Sequence, residues 1–145
     1  MVKPNAGYVK LNFDGCCKGS LGDLGVGGVF KDCDGNVVML CAGNVEKGFA
    51  IEAEFKSLLE GMKIIEELGC HKVEIEGDSE VVIGWLRNGE WVWRFHNELM
   101  YIKRVLLGRE VSFRWVGRAA NCLADSLANK GVLLDLLYRG VHEPP

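Results

Sequence analysis

A chain of 145 residues with 48% hydrophobic and 26% charged side chains carries enough apolar material for one domain with its own core, which argues against disorder. No apolar run approaches the ~20 residues of a membrane helix, and the first fifteen residues hold no apolar signal core, so the expected location is the cytosol or nucleus, alone or as part of something larger. A formal net charge of −3 gives no overall basic field, so any polyanion it binds must meet a local basic patch or bound metal ions.

Residues 8–14 alternate, with Val9, Leu11 and Phe13 on one side and Tyr8, Lys10, Asn12 and Asp14 on the other. This predicts a half-buried strand with Asp14 at its end. Residues 25–31 and 36–42 are two further apolar, β-branched runs, and Asp32, Cys33, Asp34 and Gly35 between them predict a hairpin turn. Over residues 51–68, Ile51, Phe55, Leu58, Leu59, Met62, Ile65 and Leu68 follow helical spacing, and Gly69 closes the helix. A fourth strand is expected over 72–76, with Val73 and Ile75 inward. Asp78 or Ser79 can cap a helix over 80–86. A helix over 95–107, a strand over 111–116 and a helix over 121–130 follow. The apolar tail 132–138 is expected to pack back on the domain.

With no repeat, low-complexity tract or linker, the chain reads as one domain over 1–145, its core at about 7–131 and its tail at 132–145. The order is βββαβααβα. Three antiparallel strands come first, and helical crossovers then place later strands parallel to their neighbours. The expected class is α/β, a mixed five-stranded sheet flanked by helices.

Six cysteines, Cys16, Cys17, Cys33, Cys41, Cys70 and Cys122, form no CxxC pair, and His71, His96 and His142 complete no zinc pattern. All six are read as reduced thiols.

Asp14 and Asp78 both fall at C-terminal strand ends, the edge where sites gather in open α/β sheets. Glu54 lies about 60–70° from the centre of its helix's apolar face, on the shoulder toward the sheet, taking ~100° per residue. Asp125 sits in the first turns of the last helix and shares a face with Asn121. Each acid alone is ordinary: a turn residue, a solvated helix glutamate, a helix cap, a surface acid. Gathered without basic partners, they would repel one another, and a hard divalent cation removes that repulsion. Two such ions about 3.5–4 Å apart can activate water and stabilise the leaving oxygen of an in-line phosphoryl displacement.

These residues resemble the ribonuclease H family, in its plant reverse-transcriptase-associated branch. The resemblance is carried by Leu-Asn-Phe-Asp-Gly at 11–15, Ala53-Glu54, Glu-Gly-Asp-Ser at 76–79 and Asn-Cys-Leu-Ala-Asp-Ser-Leu-Ala at 121–128. Gly-Val-Gly-Gly at 25–28 and Lys-Asp-Cys-Asp-Gly at 31–35 also look like the family's second and third strands. It implies a ribonuclease H-like fold, and it implies that Asp14, Glu54, Asp78 and Asp125 are catalytic metal ligands for Mg²⁺ or Mn²⁺, two ions in all. The implied activity is endonucleolytic cutting of the RNA strand of an RNA–DNA hybrid, leaving 5′-phosphate and 3′-hydroxyl ends. Stand-alone plant relatives resemble pieces of LINE-type retroelements or domesticated copies.

The chain departs from the family where many active members carry a histidine, six residues before the motif asparagine. Here that position is Trp115, and indole neither shuttles a proton nor takes a charge near neutral pH. Slower catalysis is the expectation. Arg118-Ala119 stands where the plant branch usually has Arg-Glu, and Glu80 stands where bacterial relatives have an amide.

Recognising a hybrid means sensing 2′-hydroxyls on one strand and phosphates on both. Cys16, Cys17, Ser20, Ser79, Arg87, Trp91, Arg118 and Asn121 are the expected nucleic-acid contacts. The stretch 85–94, with Trp85, Trp91, Trp93, Arg87 and Arg94, reads either as a stacking platform or as a helix junction whose tryptophans fill the core. The expected protein is a monomer, with no membrane partner. The competing reading is a catalytically weak or inactive nucleic-acid-binding module, favoured by Trp115 and the acidic charge. An exonuclease is disfavoured, because Gly15 and Cys16 follow Asp14 where an Asp-x-Glu pair would be needed. A protein-interaction domain has only the apolar tail behind it.

Overall fold

The computed structural model describes residues 3–19, 22–89 and 93–144. Three strands open the chain, β1 (Val9–Cys17), β2 (Gly22–Lys31) and β3 (Val37–Gly48), and form an antiparallel meander. The β2–β3 turn is set by Asp32, whose Oδ1 accepts the N–H groups of Asp34 and Asn36 at 3.0 and 2.9 Å. Helix α1 (Ala50–Leu68) starts where Glu52 reaches back to accept the Phe49 N–H at 3.2 Å, and ends at Gly69, left-handed at φ 66°.

Strand β4 (Lys72–Gly77) then pairs parallel with β1, bringing Asn12 opposite Glu76 and Phe13 opposite Gly77. Helices α2 (Glu80–Asn88) and α3 (His96–Leu106) lead to β5 (Glu110–Trp115), parallel to β4. A 3₁₀ turn over Arg118–Asn121 enters α4 (Cys122–Gly131), and β6 (Tyr138–Gly140) closes the order β5-β4-β1-β2-β3-β6.

The expected five-stranded sheet therefore has a sixth strand among the described residues. The tail pairs antiparallel with Leu40–Ala42 of β3, an edge that would otherwise present unpaired backbone. Arg139 anchors it by bonding Glu67 and standing 3.7 Å from Glu60. Leu134 of the tail also packs against the smaller core cluster of Val29, Leu40, Ala42, Ala124 and Leu127, so apolar contact and strand pairing together hold it.

Side chains of β1 divide between two layers. Leu11 and Phe13 join Phe55, Leu58 and Met62 of α1 in the larger core, completed by α2 and α3. Fully burying such side chains contributes roughly 1.5–3 kcal/mol each. On the other face, α4 lies directly on β2. A Cβ on Gly27 would stand 2.5 Å from the Ala124 carbonyl oxygen, so glycine is required for that approach. Trp85 packs in the larger core, its ring 5.9 Å from those of Phe55 and Phe95, so within the stretch 85–94 it takes the core-filling role. No described helix is long and apolar enough to cross a membrane.

Candidate active site and metal centre

Parallel pairing of β1 with β4 places Asp14 and Asp78 side by side, each one step beyond a registered pair. Helix α1 delivers Glu54 to them by close approach. A Cβ on Gly15 would lie 2.5 Å from both the Ala53 carbonyl oxygen and the Glu54 nitrogen, so only glycine admits the first turn of α1 here. Buried Ser57 sits at the same junction, its hydroxyl between the carbonyl oxygens of Asp14 and Ala53. Ligand oxygens of Asp14, Glu54 and Asp78 consequently all lie within 4.8 Å of one another.

The electrostatics follow from that crowding. Asp14 is 3% exposed. Burial, then the Glu54 and Asp78 carboxylates, push its pKa far above the usual carboxylate range. Glu54 is also raised, mainly by burial, although its bond with Asp14 opposes the rise. Its Oε2 is buried with no hydrogen-bond partner. A cluster of three carboxylates, one of them with a buried, unpartnered oxygen, is a donor set suited to a hard cation.

Asp125 stands outside this trio but near enough to Asp14 to contribute to its rise through a hydrogen bond. Among the described residues, no lysine or arginine forms an ion pair with Asp14, Glu54 or Asp78, whereas Asp125 meets Arg118 at 3.9 Å. That Arg118 side chain is 82% exposed, so the pair is weak.

The expected nucleic-acid contacts divide. Asn121 is fully buried, with its amide spent on Asn12 and the Phe13 carbonyl oxygen, so it cannot touch a ligand; this corrects the expectation. Ser79 caps α2, accepting the Val82 N–H at 3.3 Å. The Cys16 thiol turns to the Ala128 carbonyl oxygen of α4 at 3.3 Å, and burial pushes its pKa up. The Cys17 thiol bonds the Gly48 carbonyl oxygen at 3.1 Å. Arg87 is exposed on a cleft of about 340 Å³ that Trp115 also lines. Trp115 is held beside the acids, its Nε1–H donating to the Asp78 carbonyl oxygen at 3.1 Å. Ser20 and Trp91 lie outside the described residues. Arg94, from the same aromatic stretch, is bound to Glu52 at 2.7 Å.

Sequence reasoning missed the polar layer beneath the acids. Lys10 is 1% exposed, with Nζ 3.0 Å from Glu76 and 3.8 Å from Glu74. The available signal was the pair of glycines at 25 and 27, which admits α4 onto β2 beside the polar side of β1.

Sheet order, helix placement and the acid cluster together define the ribonuclease H fold. Crystallised RNase H1 from Halobacterium salinarum superposes with a TM-score of 0.79 at 26% identity, covering 86% of this chain and 97% of that one. An RNase H1 crystallised with an RNA/DNA hybrid shares the fold at a TM-score of 0.78 and 21% identity, covering 86% of this chain and 96% of that one. Residues 12–131 match the model of the reverse transcriptase-like family, and the chain belongs to that family. It is 35% identical over 140 residues to an Arabidopsis thaliana protein provisionally named a ribonuclease H protein, covering 93% of this chain and 22% of that protein. It is 29% identical over 140 residues to ribonuclease HI of H. salinarum, covering 91% of this chain and 68% of that enzyme. The chain thus spans about a fifth of the plant relative's length.

Proposed function

We propose that this domain hydrolyses the RNA strand of RNA–DNA hybrids, with Asp14, Glu54, Asp78 and Asp125 holding two divalent ions, Mg²⁺ or Mn²⁺. The observation that carries this reading is the meeting of three carboxylates within 4.8 Å, one with a buried, unpartnered oxygen, at the C-terminal ends of β1 and β4. That a relative is named ribonuclease HI and a fold neighbour was crystallised with a hybrid supports the substrate class.

Bound ions would activate water and neutralise charge at the phosphate. The protein's own part is to fix four oxygen donors on rigid elements. Asp14 and Asp78 come from the sheet, Glu54 from the first turns of α1, and Asp125 from α4. Arg87 and Arg118, whose exposure is compatible with the role, would meet phosphates, with affinity falling as salt rises. Trp115 offers no titratable group, so proton release from the site falls to water.

One feature favours the second reading, a module that binds hybrid and cuts it weakly: Trp115 occupies the place of a proton-carrying side chain and is fastened to the Asp78 backbone. Incubation of end-labelled hybrid with Mg²⁺ or Mn²⁺, beside the Asp14→Asn variant, tests both. Cleavage by the wild type and none by the variant supports the nuclease. Binding by both without any cutting leaves the module.

A further inference from the structure

We infer that Asn12 and Asn121 form a buried latch that positions Asp125 against the other three acids; the inference rests on the reading of those acids as a metal centre. Both asparagines are fully buried. The Asn12 amide donates to Glu76 Oε1 at 3.2 Å and to Asn121 Oδ1 at 3.1 Å, using both its hydrogens. The Asn121 amide in turn donates to the Phe13 carbonyl oxygen at 2.9 Å.

The chain of bonds touches each acid-bearing segment at a short, fixed remove. Asn12 precedes Asp14 by two residues on β1. Glu76 precedes Asp78 by two on β4 and stands opposite Asn12 in the parallel register. Asn121 precedes Asp125 by four, one helical turn, at the entry to α4. Lys10 fixes the far end by pairing with Glu76 at 3.0 Å.

Asp125 needs such an anchor more than the others do. Asp14 and Glu54 are brought together by backbone contact at Gly15, and Asp78 by strand register. Asp125 arrives on a separate helix, lies outside the tight trio, and its ion pair is with a side chain that is 82% exposed. The Asn121 bond to Phe13 ties the start of that helix to the residue immediately before Asp14. Asn121 is thus a positioning residue. It sets where the fourth carboxylate stands without touching substrate or ion.

The test is a double-mutant cycle of Asn121→Ala with Asp125→Asn, read by Mn²⁺ affinity from electron paramagnetic resonance without nucleic acid, by hybrid cleavage, and by amide hydrogen exchange. Partners that orient metal ligands typically change affinity or activity by about 10–100-fold when removed. Asn121→Ala should therefore weaken Mn²⁺ binding and lower kcat by about tenfold or more, with the KM for hybrid little changed. In the Asp125→Asn background the same substitution should add less than about twofold, since it acts through Asp125. Exchange should rise in the first turn of α4 and stay unchanged in α1. Equal effects in both backgrounds, or unaltered Mn²⁺ affinity, would overturn the latch. If Asn121→Ala does not fold, Asn12→Ala keeps the bond to Phe13 and should give the same pattern at smaller amplitude. A wild type that binds Mn²⁺ but cuts no hybrid defeats the nuclease reading alone, because metal and exchange data still judge the latch.

Discussion

Replacing Asp14 by asparagine separates the electrostatic cost of the acid cluster from its use. Three carboxylates have oxygens within 4.8 Å of one another, and Asp14 is 3% exposed. At that separation two unit charges repel by roughly 3–4 kcal/mol with an effective dielectric near 20. The metal-free fold therefore retains a proton on Asp14, whose pKa is raised by burial and by its acidic neighbours. In the unfolded chain the same carboxyl ionises near pH 4. A carboxyl with a folded pKa above its unfolded one leaves the fold most stable in acid and costs stability as pH rises above about 4 toward the folded value. One retained proton gives a slope of at most about 1.4 kcal/mol per pH unit. Allowing for relaxation of the site, metal-free wild type should lose about 2–4 kcal/mol between pH 5 and 8. For a chain of this size that is roughly 5–15 °C in Tm. Thermal denaturation in chelator at several pH values should show this decline, much flattened in Asp14→Asn. Mg²⁺ should restore the wild type most at pH 8 and leave the variant nearly unmoved. Parallel pH profiles for the two proteins would refute the reasoning, because they would mean that the acids do not feel one another.

Gly15→Ala must push α1 away from β1, since its Cβ would meet the Ala53 carbonyl oxygen at 2.5 Å; cleavage should fall about 100-fold and stability by about 1–3 kcal/mol in chemical denaturation. Lys10→Met leaves Glu74 and Glu76 facing each other without their buried cation, and urea denaturation should show a loss of about 3–5 kcal/mol. Trp115→His gives up the indole bond to Asp78, costing about 0.5–1.5 kcal/mol, yet should raise kcat several-fold near neutral pH; an unchanged rate would mean that proton handling there is not limiting.

Most elements were legible locally. The alternation at 8–14, the helical spacing at 51–68 and the Gly69 stop each mark an element that the structure contains. Boundaries moved where pairing outweighed pattern. Strand β3 runs to Gly48 rather than residue 42, because Asn44, Glu46 and Lys47 interrupt the apolar run while their backbone continues alongside β2. The four acids were visible as a set through their order and their positions at element ends. Their separation into a tight trio plus Asp125 was not, since it depends on how closely α1 and α4 approach the sheet.

By itself, then, the amino-acid order determined which segments become strands and helices, because that choice follows from side-chain periodicity along a few neighbouring residues. It also put Asp14 and Asp78 at the C-terminal ends of two strands, whose convergence then depended on β1 pairing with β4. Only the tertiary structure decided that Asn12 and Asn121 are buried against each other at the entry to α4 and that Lys10 is buried against Glu74 and Glu76 of β4, forming a bonded layer beneath the acids. The physical reason is that burying amide N–H groups costs stability unless acceptors meet them, and the acceptors of the two Asn12 side-chain N–H groups come from residues 64 and 109 positions away along the chain.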